Sequence, residues 1–220
     1  MDRLFKILFF GLIIKPIVFV VLGLNLRGHD KLPKKGPAVI VANHNSHLDT
    51  IVLMSLYPLS MIHRVRPVAA VDYFLGQGGL LAWLALKCID IVPMDRSGIT
   101  EREALFSECH KALDNGDILI LFPEGSRGKP EQMSKLKNGV FFLLNERNDT
   151  KVTPVMLQGL GRSLPKGEAL LVPFNCDVII GESITVTKQA STFIEQLNRA
   201  FSTLSKQCIT HFYQDVDEGQ

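Results

Sequence analysis

Apolar residues dominate positions 4–25, which read LFKILFFGLIIKPIVFVVLGLN, with charge only at Lys6 and Lys15. A run of about twenty such residues nearly spans a bilayer. Pro16 falls in its middle, where a proline kinks or breaks a helix, and each half alone is too short to cross. Arg3 and Lys6 ahead of an apolar stretch also fit a secretory signal, yet Asn25-Leu26-Arg27 follows instead of a small-residue cleavage site. The pattern predicts two short helices, or one kinked helix, lying in one leaflet with Lys6 and Lys15 reaching the headgroups. A helix packed on the domain and a true span are the alternatives. The connector 27–37 carries glycine, proline and charge; its Lys31, Lys34 and Lys35 suit either anionic lipid or a solvated turn.

From position 38 the pattern changes. Short apolar runs at 38–42, 67–71, 88–93, 117–122 and 152–158 read as strands. Two further runs, 169–173 and 177–181, read as a strand pair near a sheet edge. Helices are predicted at 48–57, 78–86, 100–113, 138–146 and 192–212. Thr100 with Glu103 has capping-box spacing, and Asn115-Gly116 supplies a stop. Phe193, Leu197, Ala200, Phe201, Leu204, Cys208 and Phe212 recur as one helical stripe. The apolar helix at 78–86 suits a core or a greasy channel. This alternation predicts an α/β fold, a largely parallel mixed sheet flanked by helices. The expected organisation is a membrane-associating helical segment over 1–27 and one domain over 28–220, with a frayed acidic tail.

Composition narrows the function. The 220 residues suffice for one α/β domain with a sizeable core. Twenty-four Lys and Arg against 22 Asp and Glu leave a formal charge of +2, too balanced for a nucleic-acid partner. Cys88, Cys109, Cys176 and Cys208 are scattered without a CxxC pair. They read as buried thiols in a reducing compartment rather than as a metal or redox motif.

Two polar clusters follow buried strands, at strand carboxyl ends, where ligands bind in α/β folds. The first, ANHNSHLDT at 42–50, holds His44 and Asp49 five residues apart, a candidate general base and its partner. Ser46 and Asp49 also have capping-box spacing, with Ser46 as the helix N-cap. The spacing of His44, His47 and Asp49 fits no metal motif. Ser46 lacks the glycine-flanked elbow of a serine nucleophile, so the nucleophile is expected on the substrate. The second cluster is Phe122-Pro123-Glu124-Gly125-Ser126-Arg127. Arg127 can grip a phosphate or carboxylate bidentately, Glu124 can bind hydroxyls or position Arg127, and Arg96 follows another strand.

Together these residues resemble the glycerolipid, or lysophospholipid, acyltransferase family. The likeness rests on Asn43-His44-Asn45-Ser46-His47-Leu48-Asp49, on Ile91-Val92-Pro93-Met94-Asp95-Arg96, and on Phe122 to Arg127. Leu136-Lys137-Asn138-Gly139-Val140-Phe141 and Val152-Thr153-Pro154-Val155 add to it, in order along the chain. The resemblance implies acyl transfer from acyl-CoA or acyl-carrier protein to a lysolipid hydroxyl, foremost 1-acyl-glycerol-3-phosphate. His44 and Asp49 would be catalytic. Arg96, Glu124, Gly125, Ser126, Arg127, Lys137 and Pro154 would bind substrate. No cofactor or metal is implied beyond the acyl donor, and the bilayer and lysolipid are the partners. The location would be the cytoplasmic membrane face, held from one leaflet. Another lysolipid acceptor, including one with an amino-acid headgroup, a thioester hydrolase and a non-catalytic lipid-binding protein remain alternatives.

Overall fold

The computed structural model describes residues 2–46, 48–70, 89–94, 105–128, 131–147, 149–163 and 175–210. Its strands are β1 (Gly23–Arg27), β2 (Ala38–Ala42), β3 (Val65–Ala70), β4 (Val92–Met94), β5 (Ile118–Leu121), β6 (Lys151–Gln158) and β7 (Asn175–Ile180). They form one sheet in the order β1-β7-β6-β2-β5-β3-β4. Every pairing is parallel except β6 with β7. The helices are α1 (Asp2–Phe9), α2 (Leu48–Ser55), α3 (Ser107–Asp114), α4 (Gly139–Leu144), the single turn α5 (Leu160–Ser163) and α6 (Ala190–Ser205). The expected α/β architecture is present.

The central strand β2 is apolar throughout because both its faces are covered. Ala38, Ile40 and Ala42 face a core built with α2 and the N-terminal helix. Val39 and Val41 face a second core, built with α3, α4 and α6. The α6 stripe of Phe193, Leu197, Phe201 and Leu204 is buried as its spacing predicts, though the helix ends at Ser205.

Four differences from the sequence reading have physical causes. The N-terminal helix does not break at Pro16: helical backbone runs from residue 2 to residue 21, with π turns at Phe10–Ile14 and Ile17–Val21. Such widened turns absorb a missing donor. They also keep residues four apart in line, so Lys6, Phe10, Ile14, Val18 and Leu22 all lie buried on the domain. Second, Lys6 and Lys15 do not reach headgroups. Lys6 Nζ donates to Val65 O and Ile89 O, each at 3.2 Å. Lys15 Nζ donates to Tyr57 O at 2.7 Å. Third, residues 23–27, which read as the end of the apolar segment, form the edge strand β1, parallel to β7. Fourth, the strand expected over 88–93 is β4, at Val92–Met94. Asp90 has φ 57, which interrupts an extended run, and Arg66 holds it through its carbonyl and its carboxylate. The helix expected at 78–86, the Thr100–Glu103 capping pair and the strand at 169–173 lie outside the described residues.

Candidate active site

Strand β2 ends at Ala42, and the next residue fixes where the chain goes. Asn43 is fully buried. Its side chain accepts from Leu157 N at 2.7 Å and donates to Leu157 O at 2.8 Å. Backbone pairing with β6 stops at Ala42 and Val155, so the Asn43 amide stands in for one further rung. This clamp holds His44 at the carboxyl edge of the sheet.

His44 Nδ1 lies 2.9 Å from Asp49 Oδ2. A carboxylate can only accept, so Nδ1 carries a hydrogen, and in the neutral ring it is Nε2 that holds the lone pair. Asp49 is fully buried, while the His44 side chain is 19% exposed. The ring therefore turns Nδ1 inward, toward the buried carboxylate, and stays partly exposed. One ring face stacks on Phe122, centroids 4.0 Å apart and planes 17° from parallel. The same Asp49 oxygen accepts from Asn45 N at 2.7 Å and Ser46 N at 2.8 Å. Ser46 Oγ in turn accepts from Leu48 N at 3.2 Å. The predicted capping arrangement is thus real, and it serves to hold Asp49 against His44. Among the described residues, buried Asp49 Oδ1 has no hydrogen-bond partner, and the bonding described for this carboxylate falls on the other oxygen. His47 lies outside the described residues.

The second cluster comes to the same place. After β5 the chain turns through Phe122–Gly125, with Gly125 N donating to Phe122 O at 3.0 Å. Gly125 has φ +81, and a Cβ there would meet Lys137 Nζ at 2.8 Å. The positive φ favours glycine, and a larger residue would also push the exposed Lys137 side chain aside. Glu124 is buried and bonds to His44 N through Oε1 at 2.8 Å. Gly128 N donates to His44 O at 3.3 Å, so half-buried Arg127 is one residue from a direct bond to the histidine backbone. Ser126 is exposed on the same turn. Lys137 N donates to Pro123 O at 2.9 Å, closing the segment on itself.

The structure therefore brings His44, Asp49, Glu124, Gly125, Ser126, Arg127 and Lys137 into one group. Pro154 is placed differently. It is buried within β6 opposite Val41, its ring against Gly181, in the interior of the sheet rather than at its carboxyl edge. Arg96 lies outside the described residues. Asn43 and Phe122 stand in the two motifs, and their side-chain types alone assign neither a role. Ser134, whose backbone N–H bonds Glu124 Oε2 at 2.6 Å, carried no sequence signal at all. Among the described residues, no group of three or more His, Cys, Asp or Glu could hold a metal ion. Cys109, Cys176 and Cys208 are buried free thiols, and burial pushes them up to about 12, 11 and 12, away from reactivity.

A partly exposed histidine fixed by a buried carboxylate, with an arginine and a lysine on the adjoining segment, can deprotonate a hydroxyl on an anionic molecule. Comparison with known proteins points the same way. The chloroplast 1-acyl-sn-glycerol-3-phosphate acyltransferase LPAT1 of Arabidopsis thaliana is 29% identical over 75% of this chain and 44% of its own length. The human 1-acyl-sn-glycerol-3-phosphate acyltransferase alpha is 28% identical over 70% of this chain and 52% of its own. The chain thus spans about half the length of these curated relatives. The crystal structure of the 1-acyl-sn-glycerophosphate acyltransferase PlsC from Thermotoga maritima shares the fold, with a TM-score of 0.73 at 18% identity over 93% of this chain and 80% of that one. The Acyltransferase family model matches residues 23–158, from β1 to the end of β6 and across both clusters, and the chain belongs to that family.

Proposed function

We propose that this chain moves a fatty acyl group from an acyl thioester, on coenzyme A or acyl-carrier protein, to the free hydroxyl of 1-acyl-glycerol-3-phosphate. The observation that carries this reading is the His44–Asp49 pair at 2.9 Å, on a ring that stacks on Phe122 and stays partly exposed. His44 Nε2 takes the hydroxyl proton as the acceptor oxygen attacks the thioester carbonyl. The C–S bond then breaks, and the leaving thiolate takes a proton from the imidazolium. The products are an ester and a free thiol, with no acyl-enzyme. Buried Asp49 stabilises the imidazolium between the two steps. Arg127, with its planar fork, and Lys137 suit the acceptor phosphate, and Arg96 is assigned to the same anion. The names of the relatives support the choice of acceptor.

The N-terminal helix supports work at a bilayer. Arg3–Val21 is long and apolar enough to cross one, yet Lys6, Lys15 and the buried stripe tie it lengthwise to the domain. Its other side exposes Leu4, Leu8, Leu12, Ile13, Phe19 and Val20. Lying in one leaflet satisfies both faces. We place the protein on the cytoplasmic side, where its free thiols stay reduced.

The test is a panel of lysolipids, including lysophosphatidic acid and amino-acid-headed lysolipids, offered with labelled acyl-CoA and acyl-carrier protein. The expected result is acceptor-dependent label transfer, fastest to 1-acyl-glycerol-3-phosphate. Thioester loss at one rate with and without acceptor would establish a hydrolase instead. Preference for another lysolipid would overturn the acceptor assignment.

A further inference from the structure

We propose that Glu124 is a positioning residue: its carboxylate is a bracket that sets the His44 backbone, not a ligand for the acceptor. The inference rests on the reading of His44 as the base. Glu124 is 2% exposed. Oε1 accepts from His44 N at 2.8 Å, and Oε2 accepts from Ser134 N at 2.6 Å. Each of those N–H groups stands outside any strand or helix, so the carboxylate supplies the partner that regular structure does not. Bonds from backbone amides to an ionised acceptor are short and strong. An acceptor hydroxyl would have to compete with both.

The bracket is one link in a closed circuit. The Asn43 side chain holds Leu157 at the end of β6. Two residues on, Gly159 N donates to Glu131 Oε2 at 2.8 Å. Glu131 is three residues from Ser134, which returns through Glu124 to His44. Gly128 N adds a bond to His44 O, so both backbone polar groups of the histidine are held from the segment after β5. Opening the circuit at Glu124 frees His44 to shift while the cationic side chains stay in place.

Glu124→Gln keeps the shape but leaves only one oxygen to accept, so its amide nitrogen must face one of the two N–H donors. Expected is a fall in kcat on the order of 10²-fold, the cost of a misplaced catalytic group, with the acceptor KM changed by no more than about twofold. A raised acceptor KM at unchanged kcat makes Glu124 an acceptor ligand and overturns the proposal, as does unaltered turnover. Ser134→Pro is the companion variant and decides the matter if Glu124→Gln fails to fold. It deletes the Ser134 N–H and leaves the carboxylate free for any acceptor. The bracket predicts a kcat loss of roughly tenfold, whereas a ligand role predicts none. The 15N signals of the His44 ring, observed without substrate, give a second readout. They should shift in both variants, and signals identical to wild type contradict the bracket. If wild-type protein acylates no lysolipid, the functional reading fails, while the ring signals still test the bracket.

Discussion

Asp49 concentrates its bonding on one oxygen, which receives His44 Nδ1, Asn45 N and Ser46 N. That convergence makes the His44 tautomer a property of the whole loop rather than of one pair. Asn43 is the residue on which the loop hangs. Asn43→Asp keeps the shape and replaces the donor to Leu157 O by an acceptor facing an acceptor. Burying that mismatch should cost on the order of 2–3 kcal/mol, read as a lowered denaturant midpoint at unchanged slope. An unshifted midpoint would show that the clamp does not hold β2 to β6. At this scale the contact between His44 and Asp49 was legible, because the imidazole and its carboxylate come from one short stretch of chain. The supports were not. Phe122 and Ser134 reach His44 and Glu124 across folded space, and a backbone donor such as Ser134 N leaves no mark in side-chain identity. Pro154 lies buried in β6 opposite Val41, and a motif letter does not tell a side chain at the site from one in the sheet beneath it.

Among the elements, the N-terminal helix departs furthest from its sequence pattern. Periodicity showed an amphipathic or spanning segment, but not that π turns align a four-residue stripe, nor that both lysines are tied down. Lys6 is 2% exposed. Burial lowers it from 10.5 to about 8, with Asp90 opposing and Arg66 reinforcing the change. A folded value below the unfolded one means that the unfolded chain binds the extra proton between about pH 8 and 10.5. Lys6 therefore weakens folding fully below that window, and the penalty lifts as pH rises through it. Unfolding free energy of wild type relative to Lys6→Met should rise across the window by on the order of 3 kcal/mol; other buried groups, such as Tyr57 and the thiols, cancel in the difference. A flat difference would mean that Lys6 keeps its proton. β1 escaped sequence reading because its apolar residues continue the helix's run without a polar break. The central strands were legible because burial on both faces leaves an unbroken apolar signature.

At the scale of the whole molecule, two faces of one sheet are covered by unlike layers. Helices α3, α4 and α6 close one face with buried apolar side chains. The other is closed partly by a helix whose outward side is itself apolar, with Leu12 73% and Val20 82% exposed. Replacing both by glutamate touches nothing in the core. The doubly substituted protein should sediment far less with phospholipid vesicles while its unfolding free energy stays within about 0.5 kcal/mol of wild type. Unchanged vesicle binding would place the membrane contact elsewhere. The central claim is that His44, held by Asp49, removes the acceptor's proton. It is tested most directly by comparing wild type with His44→Ala for transfer of labelled acyl groups to 1-acyl-glycerol-3-phosphate. The account predicts that phosphatidic acid formation falls by about 10²–10⁴-fold in kcat, with vesicle and acceptor binding retained; near-normal turnover in that variant would contradict it.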